Sequence, residues 1–137
     1  MRARINRRLF LQAVAGAAGV SALGTHGQSV AESKAPLRVA VIGCGVRGVS
    51  AHIPAACEER LVAIVDPDRA QLEKALKKAR GVSPEADAAK IRTYSDYRRM
   101  FDELGKELDA VIVATPNHQH ALPALLAMRR GIHVYVE

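Results

Sequence analysis

The sequence has no tryptophan, and only two phenylalanines and three tyrosines among its 137 residues. Without aromatic residues interleaved with basic ones, no surface is available on which bases would stack, which argues against nucleic acid as a partner. Cysteine is equally sparse. Cys44 and Cys57 stand 13 residues apart with no metal-ligand spacing around them, so neither a metal site nor a disulfide-built fold is expected. A bridge between them would bend a glycine-rich turn; two free, mostly buried thiols are the simpler expectation. Acid is missing before Glu32, whereas Arg2, Arg4, Arg7 and Arg8 crowd the first eight residues. Removing those four from the 20 basic residues leaves 16 against 14 acids, so most of the formal charge of +6 belongs to the amino-terminal end. Nor is there an apolar run of the roughly 20 residues that a stable membrane span requires.

What stands at the start reads as an export signal over residues 1–31. A basic segment ends in Arg7-Arg8, an apolar, Gly- and Ala-rich stretch runs from Leu9 to Leu23, and Ser29-Val30-Ala31 offers a small-x-small cleavage site. The segment Asn6-Arg7-Arg8-Leu9-Phe10-Leu11-Gln12 resembles the twin-arginine export motif, departing from it at Asn6 and Gln12. An exported, periplasmic protein cleaved after Ala31 is the expectation. Export in the folded state suits a domain that takes up its cofactor first.

The whole chain is 49% apolar, and residues 32–137 are long enough for one domain. Leu37 to Ile42 is nearly all apolar and half β-branched, as a strand buried on both faces must be. It breaks into Gly43-Cys44-Gly45-Val46-Arg47-Gly48, a G-x-G-x-x-G turn. Gly43 permits the tight turn, Gly45 lets a pyrophosphate approach the backbone, and Gly48 lets the next helix pack close. The phosphates would lie at that helix's N-terminus, where N–H groups and the dipole favour negative charge. Pro54 should kink or break this helix between His52 and Pro54, with a second piece ending near Arg60. His52 is expected to be a surface or packing histidine.

The second strand, Leu61 to Val65, ends at Asp66, 18 residues after Gly48. A carboxylate there accepts hydrogen bonds from the adenosine ribose and repels a 2′-phosphate, favouring NAD over NADP. Asp68 caps the next helix, whose apolar face is Leu72, Ala75, Leu76 and Ala79 and which Gly81 should stop. Between 82 and 90 lies a connector in which Ser83-Pro84 could begin one helical turn. Ile91 to Tyr94 forms a third strand. A helix entered through Ser95 or Asp96 buries Tyr97, Met100, Phe101 and Leu104 and ends at Gly105. The fourth strand, Ala110 to Thr115, runs into Pro116-Asn117-His118-Gln119-His120. A last helix turns Leu122, Leu125 and Leu126 inward and ends at Gly131 before a fifth strand, Ile132 to Val136. Five strands alternating with helices predict a doubly wound, Rossmann-like parallel sheet in the order 3-2-1-4-5. Its switch point lies between the first and fourth strands, which sets the glycine turn beside Thr115 to His120.

Together, VIGCGVRG, IVDPD, VATPNHQH and the terminal HVYVE resemble the Gfo/Idh/MocA family of NAD(P)-dependent oxidoreductases across Leu37 to Glu137. The resemblance implies that Gly43, Cys44, Gly45, Val46, Arg47 and Gly48 carry the cofactor's phosphates. It further implies that Thr115, Pro116, Asn117 and His120 line the nicotinamide half, with Glu137 completing the cofactor-binding set. In the family the fifth strand ends in E-K-P, and its lysine works at the substrate carbon. Here Glu137 is the last residue, so the expectation is the cofactor half of a two-domain enzyme, with no catalytic residue of its own. The substrate of such a parent would be a sugar or related polyol. An NAD-using glycosidase of the same family is the alternative, as is a non-catalytic nucleotide-binding fragment. A methyltransferase using S-adenosylmethionine is disfavoured by Gly48 and the T-P-N-x-x-H segment. The apolar fifth strand, at an open edge, invites association with another copy.

Overall fold

One strand, Ala110–Val113, is buried from end to end and its neighbour, Arg38–Ile42, at all but its first residue, and the sheet built around them sets the positions of everything else. The structure, a computed structural model, describes residues 35–83 and 90–137. The expected export signal, and most of the connector with its Ser83-Pro84 turn, lie outside the described residues. Among the described residues the strands are β1 (Arg38–Ile42), β2 (Arg60–Val65), β3 (Arg92–Tyr94), β4 (Ala110–Val113) and β5 (His133–Val136). All neighbours pair in parallel, in the order β3-β2-β1-β4-β5. This is the doubly wound order read from the alternation of apolar runs and amphipathic segments.

Four α-helices connect them: α1 (Ile53–Glu58), α2 (Arg69–Val82), α3 (Tyr97–Leu104) and α4 (Ala121–Arg129). Helices α1 and α2 pack together, as do α3 and α4. Because side chains alternate along a strand, β1 feeds both layers. Ala40 and Ile42 join Met100, Phe101, Leu104 and Ala127 in one core, while Val39 and Val41 are buried on the opposite face. Each of the larger of these side chains contributes about 1.5–3 kcal/mol by burial. An exposed pair such as Arg99 with Glu103 contributes about 0–1 kcal/mol, so the two inner faces of the sheet hold the domain.

Local chemistry explains most element ends. Asp68 accepts from the Ala70 N–H at 2.8 Å and caps α2; Asp96, rather than Ser95, does the same for α3 through Arg98. Gly81 does not stop α2, which continues to Val82 with Ser83 as its cap. Gly131, at φ 70°, turns the chain into β5.

The helix changes form between His52 and Pro54, where a kink or break was expected, and its second piece ends at Glu58. Gly48–His52 forms a π-helical turn in which the Ile53 N–H reaches back to the Gly48 carbonyl, and this wide turn leads directly into α1. A turn with five-residue spacing gives room for a proline ring that a tighter helix would push against a carbonyl. The packing of α4 is a correction: Leu122 and Leu125 face outward, at 58% and 39% exposure. The helix instead lays Pro123, Ala124 and Ala127 against the sheet, with Leu126 half-buried. Small residues on that side let it approach closely.

A register shift between β1 and β2 matters for the site. Val39 pairs with Leu61 but Ala40 pairs with Ala63, leaving Val62 over. After the shift Ile42 lies level with Val65, so the two strands end together. Asp66 thereby arrives beside the glycine turn.

Candidate dinucleotide site

The three motif glycines are required for three different reasons. Gly43 has φ 98°, and a Cβ there would stand 2.6 Å from the Ala114 carbonyl. Only glycine takes that conformation without strain, and only glycine lets β1's exit touch the end of β4. At Gly48 a Cβ would meet the Gly43 carbonyl oxygen at 2.1 Å, so this glycine seats the helix start against the turn. A Cβ on Gly45 would meet nothing within 4 Å. Nothing in the protein itself demands glycine at that position, which opens onto the cavity.

That cavity has a volume of about 670 Å³. Of the residues expected in the site, Gly43, Gly45, Val46, Arg47, Asp66, Thr115 and Pro116 line it. Cys44 does not: its side chain is wholly buried, with Sγ 3.8 Å from the Val65 carbonyl oxygen. Burial and the neighbouring Asp66 push its thiol up to about 12, so it stays protonated and inert. Cys57 is half-buried, and both cysteines are free. Gly48, Asn117, His120 and Glu137 also stand off the cavity wall.

Asp66 is tied into the turn more tightly than a ribose ligand alone would need. One carboxylate oxygen accepts the Cys44 N–H at 2.7 Å and the other accepts the Asp68 N–H at 2.8 Å. Its own N–H goes to the Tyr94 carbonyl. A carboxylate offers about four acceptor positions, so two backbone donors leave capacity for ribose hydroxyls on the cavity side.

On the β4 side, Thr115 Oγ1 is buried with no hydrogen-bond partner. An unpaired buried hydroxyl costs about 1–3 kcal/mol, and a bound ligand with a polar group there would recover it. His120 contributes indirectly by donating from Nε2 to the Thr115 carbonyl at 2.5 Å, which pins the loop. Asn117 begins a 3-10 turn and is exposed.

Glu137 has a role the motif does not disclose. One of its oxygens accepts from Nε of Arg47 at 2.8 Å, and the other lies 2.5 Å from Nε2 of His52. His52 is buried at 4% exposure, and its ring centroid is 5.6 Å from that of Tyr135. The Arg47 guanidinium, seconded by His52, holds the Glu137 carboxyl below the usual carboxylate range. The glycine turn and β5 are thus laced together at the edge of the cavity.

The opposite wall carries no sequence motif. Ser95, Asp96, Tyr97 and Arg98, between β3 and α3, line the same cavity. Their signal was positional only: in a doubly wound sheet, the loops at strand carboxyl ends border the crevice.

A parallel 3-2-1-4-5 sheet, a glycine turn at its switch point and an acid at the end of β2 define a dinucleotide-binding α/β domain. The open face of Gly45, the spare acceptors of Asp66 and the orphaned Thr115 hydroxyl fit such a ligand. Comparison with known proteins narrows the class. Residues 37–137 match the family model for the Gfo/Idh/MocA oxidoreductases, described as an NAD-binding Rossmann fold, and the chain belongs to that family. It is 33% identical over 111 residues to inositol 2-dehydrogenase 4 of Saccharopolyspora erythraea, covering 77% of this chain and 29% of that protein. It is 31% identical over 157 aligned residues to an α-N-acetylgalactosaminidase of Shewanella oneidensis, covering 97% of this chain and 33% of that protein. Among solved structures, the WlbA dehydrogenase of Bordetella pertussis, in complex with NADH and UDP-GlcNAcA, superposes with a TM-score of 0.54 at 27% identity. That match covers 74% of this chain and 29% of the other. The chain spans about a third of the length of the curated relatives it matches.

Proposed function

We propose that this domain binds NAD in preference to NADP, and that the protein carrying it moves hydride to or from a sugar or related polyol. The observation that carries the reading is Asp66, fixed by two backbone N–H groups at the end of β2 and lining the cavity beside Gly45. A carboxylate there receives ribose hydroxyls and repels a 2′-phosphate. Arg47 and the N–H groups of the turn face the phosphates, while Thr115 and Pro116 wall the nicotinamide side. Bound nicotinamide supplies a hydride donor or acceptor. The chain's own residues bind and orient it. The substrate class is supported by the relatives' names, an inositol dehydrogenase and a dehydrogenase solved with a nucleotide sugar.

Calorimetric titration of the chain with NAD and NADP tests the cofactor reading. NAD should bind at least about tenfold more tightly, the equivalent of about 1.4 kcal/mol; equal affinities would refute the assignment of Asp66.

A second reading is favoured by one observation: the relative named as an α-N-acetylgalactosaminidase aligns along 97% of this chain. The protein would then use NAD to cleave a glycosidic bond. Release of aglycone without net NADH, against stoichiometric NADH from a free polyol, separates the two. We further propose export through the twin-arginine route, resting on Arg7-Arg8-Leu9-Phe10-Leu11 and the weakly apolar stretch behind it.

A further inference from the structure

The wall formed by Tyr97 and Arg98 has no role in the reading above, and the strand order gives it one. If the diphosphate lies on the β1 turn and the ribose on Asp66 at the end of β2, the ligand is running toward β3. The nicotinamide half takes the other direction, toward Thr115 and Pro116 at the end of β4. The adenine must therefore enter the part of the cavity bordered by β3's exit. Pro67 borders it from the β2 side and Tyr97 and Arg98 from the α3 side.

The Arg98 guanidinium already lies over an aromatic ring: its central carbon is 4.7 Å from the Tyr97 ring centroid. Asp96 holds it from the side, with Oδ1 3.4 Å from Nη1, while the same oxygen accepts the Arg98 backbone N–H. One face of the guanidinium is thus backed by tyrosine, and 58% of the side chain remains exposed. A planar cation with these two partners has less rotamer freedom to give up when a ligand arrives than a free arginine would.

We propose that Arg98, backed by Tyr97, is the stacking platform for the adenine ring and sets the preference for a purine at that end. The inference rests on the dinucleotide reading of the site. A flat guanidinium stacks on aromatic bases, whereas the point charge of a lysine does not.

The test is titration of the full chain and its variants with NAD, AMP and nicotinamide mononucleotide, alongside thermal melts. Arg98→Ala should weaken NAD and AMP by the same factor, about three- to tenfold. It should leave nicotinamide mononucleotide and the melting temperature unchanged. Arg98→Gln, which keeps a planar group without charge, should recover part of the loss, and Arg98→Lys should recover none. Recovery by lysine and not glutamine would overturn the platform in favour of a simple charge contact. Unchanged NAD and AMP affinity in Arg98→Ala would also overturn it. Failure of NAD to bind the unmutated chain would instead remove the dinucleotide reading beneath it.

Discussion

Replacing Asp66 with asparagine separates the two jobs this carboxylate performs. In the native chain it accepts the Cys44 N–H at 2.7 Å and the Asp68 N–H at 2.8 Å, one on each oxygen. Asparagine keeps one oxygen and puts an amide NH₂ in place of the other. One backbone donor then faces a donor, and the surviving bond loses its charge. Hydrogen bonds to charged groups contribute about 1.5–3 kcal/mol and neutral ones about 0.5–1.5 kcal/mol. Asp66 is half-buried, so water replaces part of the loss, and a net cost of about 2 kcal/mol follows. At roughly 5 °C per kcal/mol for a domain of this size, Asp66→Asn should melt about 10 °C lower. The same change removes the charge that repels a 2′-phosphate. The ratio of NAD to NADP affinity should fall toward one when both are titrated calorimetrically at a temperature where the variant is folded. A melting temperature within about 2 °C of the original would show that the two backbone bonds carry no weight. An unchanged NAD/NADP ratio would show that the carboxylate does not meet the ribose.

Other changes discriminate between neighbouring residues of the same motif. Gly43→Ala forces a Cβ to 2.6 Å from the Ala114 carbonyl at φ 98° and should cost at least about 3 kcal/mol in urea unfolding. Gly45→Ala should leave that curve in place while weakening NAD, since its methyl group meets only the open cavity; a stability loss there would contradict the geometry. Asp109 takes two hydrogen bonds from the Arg38 side chain and one from its N–H, at the end of β4 remote from Thr115. Asp109→Asn should cost about 1 kcal/mol and leave NAD affinity unaltered. Arg38 holds the Asp109 carboxyl below its usual range, so this contribution is present above about pH 4 and disappears as pH falls through the lowered value. The native chain should therefore lose more stability on acidification than Asp109→Asn, as melts between pH 6 and 2.5 would report. A reporter fused behind Ala31 should be exported, and Arg7→Lys with Arg8→Lys should retain it in the cytoplasm; export surviving both changes would rule out the twin-arginine route.

The parallel sheet was legible because its strands announce themselves by composition. Leu37 to Ile42 and Ala110 to Val113 have no polar position except Arg38, which forces burial on both faces, and such strands fit only a sheet covered by helices. Amphipathic helices were as readable. The face Leu72, Ala75, Leu76 and Ala79 of α2 is the one turned inward, because its lysines leave no other choice. In α4 that contrast is missing: Ala121 to Met128 is apolar all round apart from its proline. Periodicity then cannot choose a side, and the choice falls to shape. Pro123, Ala124 and Ala127 go in, while Leu122, Leu125 and Met128 stay out at 39–59% exposure. Pro54 was a readable signal, because a proline excludes an ordinary helical turn before it. What the sequence did not disclose is that a π-helical turn at Gly48–His52 meets that steric demand and gives way to α1 at Ile53.

At the site the limit was different in kind. Motif spacing named residues that lie near a ligand, but it could not tell the residues that meet it from those that brace them. Cys44 sits within G-x-G-x-x-G and supplies a backbone N–H to Asp66, while its thiol belongs to the core. Glu137 and His120 stand beside the cavity and spend their polar atoms on Arg47, His52 and the Thr115 carbonyl. Conversely, Tyr97 and Arg98 carry no motif, and reach the cavity only because β3 is hydrogen-bonded to β2. Sequence spacing is one-dimensional, whereas bracing depends on which strands lie side by side. The order β3-β2-β1-β4-β5 supplies that missing dimension, setting the turn between two walls, residues 95–98 and residues 115–116, that both lie far from it along the chain. A shift in strand register would therefore move the site without altering a single motif residue. The offset at Val62, which brings Asp66 level with the glycine turn, makes the point within β2 itself.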